Sequence, residues 1–172
     1  MKLGDGVEQA IHVTALLAGL PQGAVMSAGA LAEFHGVSVS YLLKHLQSLS
    51  GAGMLETVPG PQGGYRLARA PDRISLLDIV LAVEGPEPAF RCKEIRKQGP
   101  GADKVSAALL RPPCQINAAM LRAEQAWRAE LRRVMIADIL AEVAAADDGT
   151  IAARGCAYIQ QHGRGLNRKD AT

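Results

Sequence analysis

The sequence predicts a mainly α-helical fold with one small β-hairpin and one long amphipathic helix. Three observations predict this class. Apolar residues recur every three or four positions through most of the first half of the chain, which is the spacing of helices that bury one face. Apolar and polar residues alternate on both sides of a Gly- and Pro-rich stretch, which is typical of a hairpin. Residues 115–143 carry a long apolar stripe at helical spacing.

Two helices are predicted before residue 37. The first runs from Asp5 to about Gly19, where the sequence Gly-Leu-Pro stops it. Ser27 is a favourable N-cap for the second helix, which is short. The second helix closes at His35-Gly36, because glycine is the usual residue after a helix end.

A third helix is predicted after a tight turn. Ser38 or Ser40 caps it, and the sequence Gly-Ala-Gly at 51–53 ends it. Its polar face carries Ser38, Ser40, Lys44 and Gln47. Two short helices joined by a brief turn, the second with an exposed polar face, are typical of a helix-turn-helix.

The hairpin is predicted directly after this motif. Residues 54–58 and 65–68 alternate between apolar and polar side chains, and the tip at 59–64 is Pro-Gly-Pro-Gln-Gly-Gly. A hairpin in this position is the wing of a winged helix. The alternative interpretation is an ordinary three-helix core followed by a hairpin.

Residues 74–83 form a further predicted helix, which Ser75 caps, and complete a winged helix-turn-helix domain at 1–85. The composition then changes to Pro, Gly and charged residues. A loop as long as 86–114 usually has a function or is disordered. Cys92 lies near the start of this segment and Cys114 lies at its end.

The apolar stripe that follows is too long to be buried against one small domain, so residues 115–145 are predicted to be a dimerisation helix in a homodimer. The stripe consists of Ile116, Met120, Ala123, Trp127, Leu131, Met135 and Ile139. Residues 146–172 lose the periodicity, and a weakly ordered tail is predicted there. The basic residues of this tail are Arg154, Arg164, Arg168 and Lys169.

Composition sets the broad class. A chain of 172 residues with 48% hydrophobic residues can form one domain with an appended element and no disulfides. There is no apolar run long enough to span a membrane and no secretion-signal pattern, so a cytoplasmic protein is expected. The net charge is only +2, and residues 1–70 carry four basic and four acidic side chains. DNA binding must therefore be argued from geometry.

Three segments resemble the recognition helix and wing of the Rrf2 superfamily of transcription regulators, of the IscR and NsrR type. They are residues 39–44, 49–53 and 60–67, with sequences VSYLLK, LSGAG and GPQGGYRL. Residues 74–85 are similar to the helix that precedes the family's cysteine loop. The resemblance covers about residues 1–143 and implies a homodimer that binds the two halves of a palindromic operator on double-stranded DNA.

The DNA contacts are expected on the third helix and on the wing. Hydroxyl groups and lysine can bond phosphates or base edges, and a helix N-terminus attracts phosphate. The alternative for Tyr41 is a half-buried packing role. The expected DNA-binding residues are Ser38, Ser40, Tyr41, Lys44, Gln62, Gly63 and Arg66.

Two pairs of side chains are candidate metal ligands. Glu8 and His12 stand four positions apart on the first helix, so they share one face, which is either a solvated surface or half of a metal site. Cys92 and Cys114 bracket a flexible segment, which lets both thiolates turn toward one ion. They could equally be buried thiols or a reversible disulfide.

The segment from Phe90 to Arg96, with Gly99-Pro100, resembles the RsrR branch of the superfamily. This resemblance implies a 2Fe-2S cluster as cofactor, held by Glu8, His12, Cys92 and Cys114. The helix ligands are expected from one subunit and the cysteines from the other. The predicted function is then a DNA-binding regulator whose operator affinity follows the redox state of the cluster.

Other chemistries use the same residues. Two cysteines, a histidine and a glutamate can form a structural zinc site. The two cysteines can also act without metal, as a thiol-disulfide switch. Since the sequence contains no phosphate loop and no nucleophile with a base beside it, an enzyme is not expected.

Overall fold

The computed structural model describes residues 3–165, and it confirms the predicted fold class: helices with a two-stranded antiparallel hairpin. The helices and strands are α1 (Asp5–Ala18), α2 (Ala28–His35), α3 (Val39–Gly51), β1 (Leu55–Val58), β2 (Gly64–Leu67), α4 (Leu76–Glu84), α5 (Ala107–Leu110), α6 (Gln115–Arg133), α7 (Ile136–Ala146) and α8 (Thr150–His162). Short 3-10 turns lie at Pro71–Arg73, Ile95–Lys97 and Ala102–Lys104.

The core lies between α1, α3 and α4, which pack on one another. On α3 the fully buried residues are Leu42, Leu46 and Leu49, whose spacing of four and three positions places them on one face. Burial of this face turns the opposite side of α3 outward, so the hydrophobic pattern alone fixes which side of the helix faces solvent.

Helix caps lie where the sequence predicts them. The Ser27 side chain accepts a hydrogen bond of 3.2 Å from the backbone N–H of Ala30 at the start of α2. Gly36 ends α2 with φ of 64°, a backbone conformation that glycine adopts without steric cost. At α4 the Ser75 and Asp78 side chains each accept from the other's backbone N–H, which forms a capping box.

The wing is an antiparallel hairpin in which Glu56 pairs with Arg66 and Val58 pairs with Gly64. A Cβ at Gly63 would overlap the carbonyl oxygen of Val58, so the tip can fold tightly only with glycine at that position. At the base of the wing the Arg69 guanidinium donates to the carbonyls of Ala52 and Gly53, at 2.7 and 2.9 Å, where α3 ends.

The predicted single helix over 115–143 is two helices in the structure. Val134 and Met135 adopt extended backbone conformations between α6 and α7. The carbonyl of Val134 accepts from the N–H of Leu76 at 2.9 Å, and the N–H of Ile136 donates to the carbonyl of Ile74 at 2.9 Å. These hydrogen bonds replace helical ones and attach the junction to α4.

An ion pair on α6 anchors the first part of segment 86–114, which we call the cysteine loop. Glu124 and Arg128 lie 2.7 Å apart, one helical turn from each other. Glu124 accepts from the N–H of Ala89, and Arg128 donates to the carbonyls of Pro86 and Glu87. The loop therefore begins on the surface of α6 and returns to it at Cys114, the N-cap of that helix.

The structure corrects the prediction of a weakly ordered tail as far as residue 165. The segment forms α8, whose first N–H groups are capped by carboxylates: Asp147 accepts from Ile151 and Ala152. Ile159 is 7% exposed and packs against the end of α1 at Gly19. Ile159 is the one buried residue among the thirteen of α8, so the sequence of this helix shows no recognisable hydrophobic periodicity. Arg168 and Lys169 lie outside the described residues.

No helix between residues 3 and 165 combines the length and the apolar character that crossing a bilayer requires.

If α8 is docked as described, Ile159→Ala should lower the free energy of unfolding by about 2–4 kcal/mol, since it empties a buried site. Ile151→Ala on the same helix is the matched control, because Ile151 is 61% exposed, and it should be nearly neutral. Urea unfolding measures both. Equal midpoints for the two variants would contradict the docking of α8.

Candidate DNA interface and candidate metal site

The outward face of α3 is polar and accessible. Tyr41 is 45% exposed, and Lys44 and Gln47 are also exposed. The buried residues of α3 alternate with these at helical spacing, so the side chains project from the protein as a row. This arrangement suits a helix that lies in the major groove of DNA.

Hydroxyl groups stand at the start of α3. The Oγ atoms of Ser38 and Ser40 lie 3.0 Å apart in a hydrogen bond, and both residues are exposed. Ser38 occupies the N-cap position of α3, as predicted, but its side chain makes no capping hydrogen bond to the helix backbone, so the first N–H groups of the helix stay available. Free N–H groups and hydroxyls together form a phosphate-binding end.

At the wing tip, the structure separates the roles of two predicted contact residues. Gln62 is exposed and can reach a ligand, whereas Gly63 is buried beneath the tip. The absence of a side chain at Gly63 permits the turn, as its closeness to Val58 indicates. Gly63 therefore shapes the wing, and Gln62 is the side chain that the wing presents.

Arg66, also predicted as a DNA contact, is bound within the hairpin. Its Nε and Nη2 donate to the two carboxylate oxygens of Glu56 at 2.9 and 2.8 Å. The hydrogen bond from Arg66 lowers the pKa of Glu56, and the same bond raises the pKa of Arg66. In the unbound protein this ion pair holds Arg66 within the hairpin, and the contact of Arg66 with DNA stays a prediction.

Glu8 and His12 are both exposed and border one groove, as their spacing predicts. This α1 groove has a volume of about 760 Å³. It lies between α1, the end of α2 and the start of α8 and is lined by Asp5, Glu8, Gln9, His12, Phe34, His35, Val37, Thr150, Ile151 and Arg154.

His35, at the end of α2, also lines the groove. Its ring centroid lies 5.8 Å from that of His12. Burial, then the nearby His12 and Arg154, lower the pKa of His35 to about 4. His35 is therefore neutral near pH 7, and its Nε2 is buried without a hydrogen-bond partner among the residues described.

Arg96 holds the two ends of the cysteine loop together. The Arg96 guanidinium donates to the Glu94 carboxylate at 2.9 Å and to the carbonyls of Leu109 and Pro112 at 3.3 and 3.2 Å. Both Cys92 and Cys114 lie near enough for their thiolate charge to raise the pKa of Arg96, after the larger contribution of Glu94. Arg96 therefore connects the chain beside Cys92 with the chain two residues before Cys114.

The backbone around Cys114 favours its thiolate form. The backbone N–H of Asn117 lowers the pKa of Cys114, with smaller contributions from the N–H of Ile116 and from Arg96. These groups belong to the N-terminus of α6, where helix N–H groups favour a negative charge. The Sγ atom of Cys92 accepts a hydrogen bond of 3.4 Å from the N–H of Glu94.

The helix pair and the cysteine pair do not meet within one protomer. Over residues 3–165 no three His, Cys, Asp or Glu side chains come together as a metal site. A centre that combines Glu8, His12, Cys92 and Cys114 would therefore need two protomers, the arrangement that the resemblance to the RsrR branch implies. The donors themselves fit such a centre, since three of them are exposed and Cys114 is half-buried.

A helix-turn-helix with a polar second helix, followed by a hairpin with an exposed tip, defines a winged-helix DNA-binding regulator. Residues 3–142 match the model of the Rrf2 family, described as an iron-dependent transcriptional regulator. The chain belongs to this family. It is a transcriptional regulator and not an enzyme, as the sequence predicted.

Two relatives support this assignment. YffB of Lactococcus lactis subsp. lactis (strain IL1403), a candidate HTH-type transcriptional regulator, is 34% identical over 142 residues, which cover 83% of this chain and 88% of YffB. YwgB of Bacillus subtilis (strain 168), with the same description, is 41% identical over 85 residues, which cover 49% and 54% of the two chains.

Solved structures share the fold. IscR of T. potens matches with a TM-score of 0.61 at 21% identity, over 87% of this chain and 91% of IscR. The oxidized form of CymR from Staphylococcus aureus matches with a TM-score of 0.58 at 23% identity, over 81% and 96%. At this level of identity the likeness establishes the architecture of the chain. It does not identify the signal to which the regulator responds.

The lowered pKa of Cys114 can be measured in metal-free protein that carries Cys92→Ser and Cys156→Ser. Because the thiolate is the reactive form, iodoacetamide should alkylate Cys114 with a midpoint at lower pH in the folded protein than in urea. In urea the midpoint should approach about 8.5, the value of a free thiol. Coincident midpoints would contradict the stabilisation of the thiolate by the N-terminus of α6.

Proposed function

We propose that this regulator binds a palindromic operator as a homodimer, and that a 2Fe-2S cluster shared between its protomers switches operator affinity. Glu8 and His12 of one protomer and Cys92 and Cys114 of the other are the proposed ligands. The observation that carries the proposal is that Arg96 connects the two ends of the cysteine loop: it pairs with Glu94, whose N–H is hydrogen-bonded to Cys92, and it donates to the carbonyl of Pro112, two residues before Cys114. The resemblance to the RsrR branch supports the same four residues.

An unpartnered apolar face supports the homodimer. Ile116 is 65% exposed and Met120 is 44% exposed on α6, and α6 buries none of its residues. A second copy would cover this face through the same face of its own α6, since a twofold interface pairs one surface with itself. The two α3 helices of such a dimer would be related by the same twofold axis. They would therefore require two related half-sites in the DNA.

The ligand set suits a redox role. When bound, a 2Fe-2S cluster accepts and releases single electrons. His12 would contribute a neutral imidazole in place of a thiolate, which raises the reduction potential of such a centre. Glu8 would contribute a hard oxygen donor, poorly matched to a soft centre, and is therefore the ligand we expect to be exchanged most readily.

A line of contacts leads from α1 to the face of α3. A Cβ at Gly6 would overlap the His45 ring, so the α1 backbone lies directly against that ring. His45 is 8% exposed and meets Tyr41 edge to face, with ring centroids 4.8 Å apart. Gly6 precedes Glu8 by two residues, so a rotation of α1 at the ligands would press on His45 and shift Tyr41.

The thiol pair supplies a second candidate function. Cys92 is exposed, and the N-terminus of α6 favours the thiolate of Cys114. An oxidant could join the two cysteines without a metal, with two electrons and two protons leaving the pair as the S–S bond forms. In that case His12→Ala would leave the redox response intact, whereas in the cluster proposal it would not.

The cluster is tested on protein purified without oxygen. We expect iron and acid-labile sulfide in equal amounts, with visible absorption that Cys92→Ser abolishes. Cys156→Ser is the matched control, because Cys156 is exposed on α8 and is not a proposed ligand, and it should retain the absorption. Colourless wild-type protein without iron would exclude the cluster, and zinc in its place would favour a structural metal.

The DNA interface is tested by fluorescence anisotropy with the promoter of the protein's own gene. Lys44→Ala should weaken binding about five- to tenfold and reduce the slope of log K against log salt by about 0.9, the effect of one lost phosphate contact. Lys104→Ala removes the same charge from the cysteine loop and should change neither quantity. Equal losses for both variants would indicate nonspecific attraction rather than a contact from α3.

A further inference from the structure

The segment Thr150–Arg164, which we call the C-terminal strap, is fastened to the helix-turn-helix by α8. The Tyr158 hydroxyl is a hydrogen-bond donor with two acceptors in reach. The carbonyl oxygen of Ala30 lies 2.9 Å away and Oε2 of Glu33 lies 3.1 Å away. Burial, then the carboxylate of Glu33, raises the pKa of Tyr158 to about 12, so it remains a donor at neutral pH. Arg154 adds a bond of 2.9 Å to the carbonyl of Phe34.

Beyond α8 the strap pairs with the sheet region. The N–H of Arg164 donates to the carbonyl of Val25 at 2.8 Å, and the N–H of Val25 donates back at 3.0 Å. The next residue, Met26, makes the same reciprocal pair with Tyr65 of β2, at 3.0 and 2.8 Å. Two bridges thus extend from the wing to the strap.

The Arg164 side chain reaches the tip of the wing. Its Nη1 donates to the carbonyl oxygens of Pro61 and Gly63, at 2.9 and 3.0 Å. These two carbonyls flank Gln62, the exposed side chain of the tip. Arg164 is half-buried, so its charge serves the backbone of the turn rather than projecting into solvent.

The tip needs such support. Residues 59–64 contain three glycines and two prolines, and the two-stranded sheet beneath them has only four residues a strand. An isolated two-stranded hairpin is only marginally stable in water. A tip that is free in the unbound protein must lose conformational entropy when it contacts DNA, and this loss lowers affinity.

We propose that the C-terminal strap holds the wing in its DNA-binding geometry, and that Arg164 is the positioning residue. Arg164 acts through the backbone on either side of Gln62 and does not itself touch DNA. The strap lies beyond residues 3–142, the part of the chain that matches the family model. The inference depends on DNA binding by the winged helix and is independent of any cluster.

The test uses Arg164→Ala, with Arg133→Ala as a charge-matched control, because Arg133 is exposed at the end of α6. We expect faster hydrogen exchange in a peptide covering the wing tip and unchanged exchange in peptides from α1 and α3. We also expect DNA affinity to fall about three- to tenfold, as for the ordering of a few side chains and a short loop. The salt slope should not change, since no phosphate contact is lost.

Arg164→Lys separates position from charge. A lysine in this place can donate to the same carbonyls, so it should restore both the protection of the tip and much of the affinity. Restored affinity without restored protection would overturn the proposal. So would a fall in the salt slope of about 0.9 with Arg164→Ala, since that slope identifies a direct phosphate contact.

Two further outcomes would also overturn the proposal that the strap orders the wing. Unchanged exchange at the tip in Arg164→Ala means that the hydrogen bonds to Pro61 and Gly63 do not order it. Faster exchange with unchanged DNA affinity means that an ordered tip is not needed for binding. If the wild-type protein fails to bind DNA, the regulator function itself is in error, and the exchange experiment still reports on the strap.

Discussion

The close contact between α1 and α3 constrains the rest of this molecule. Gly6 has no side chain, and the ring of His45 occupies the place where one would be. This approach fixes α1 against the helix that faces DNA, and it sets the direction in which Glu8 and His12 point, two and six residues farther along α1. The core leucines of α3 then fill the space on the other side of the contact. A closely packed interior transmits displacements instead of absorbing them, so a displacement of α1 at the groove would reach the face of α3.

Most of the winged helix could be predicted from the sequence, because its signals are local. Ser27, Gly36 and Ser75 define helix ends through hydrogen bonds or backbone angles that depend on one or two neighbouring residues. The interruption at Val134-Met135 could not be predicted this way. The apolar stripe continues through it, and only the hydrogen bonds to residues 74–76, sixty positions away, show why the helix stops. The docking of α8 escaped prediction for a similar reason, since Ile159 and Tyr158 contact residues more than a hundred positions earlier.

The residues of the candidate metal site also divide into some that the sequence predicted and others that it did not. A spacing of four on a helix was enough to place Glu8 and His12 on one groove, whereas the meeting of Cys92 and Cys114 at one centre stays a prediction. The residues that organise these pairs were missed. His35 and Arg154 enter the groove from other elements, and Arg96 contacts carbonyls thirteen and sixteen residues away. The Arg66 pair was within reach of sequence reasoning, because Glu56 and Arg66 face each other once the hairpin register is written out.

The pairing of Arg164 with Val25 has a consequence for how the protein behaves at high concentration. A strand at the border of a sheet leaves unpaired N–H and C=O groups that can recruit a strand from another molecule. Here Met26 pairs with Tyr65 on the edge of β2 that faces away from β1, and Arg164 pairs with Val25, the residue before Met26. Backbone groups at that edge of the sheet are therefore hydrogen-bonded within the chain. The segment that steadies the wing thereby also protects the molecule against aggregation through that border.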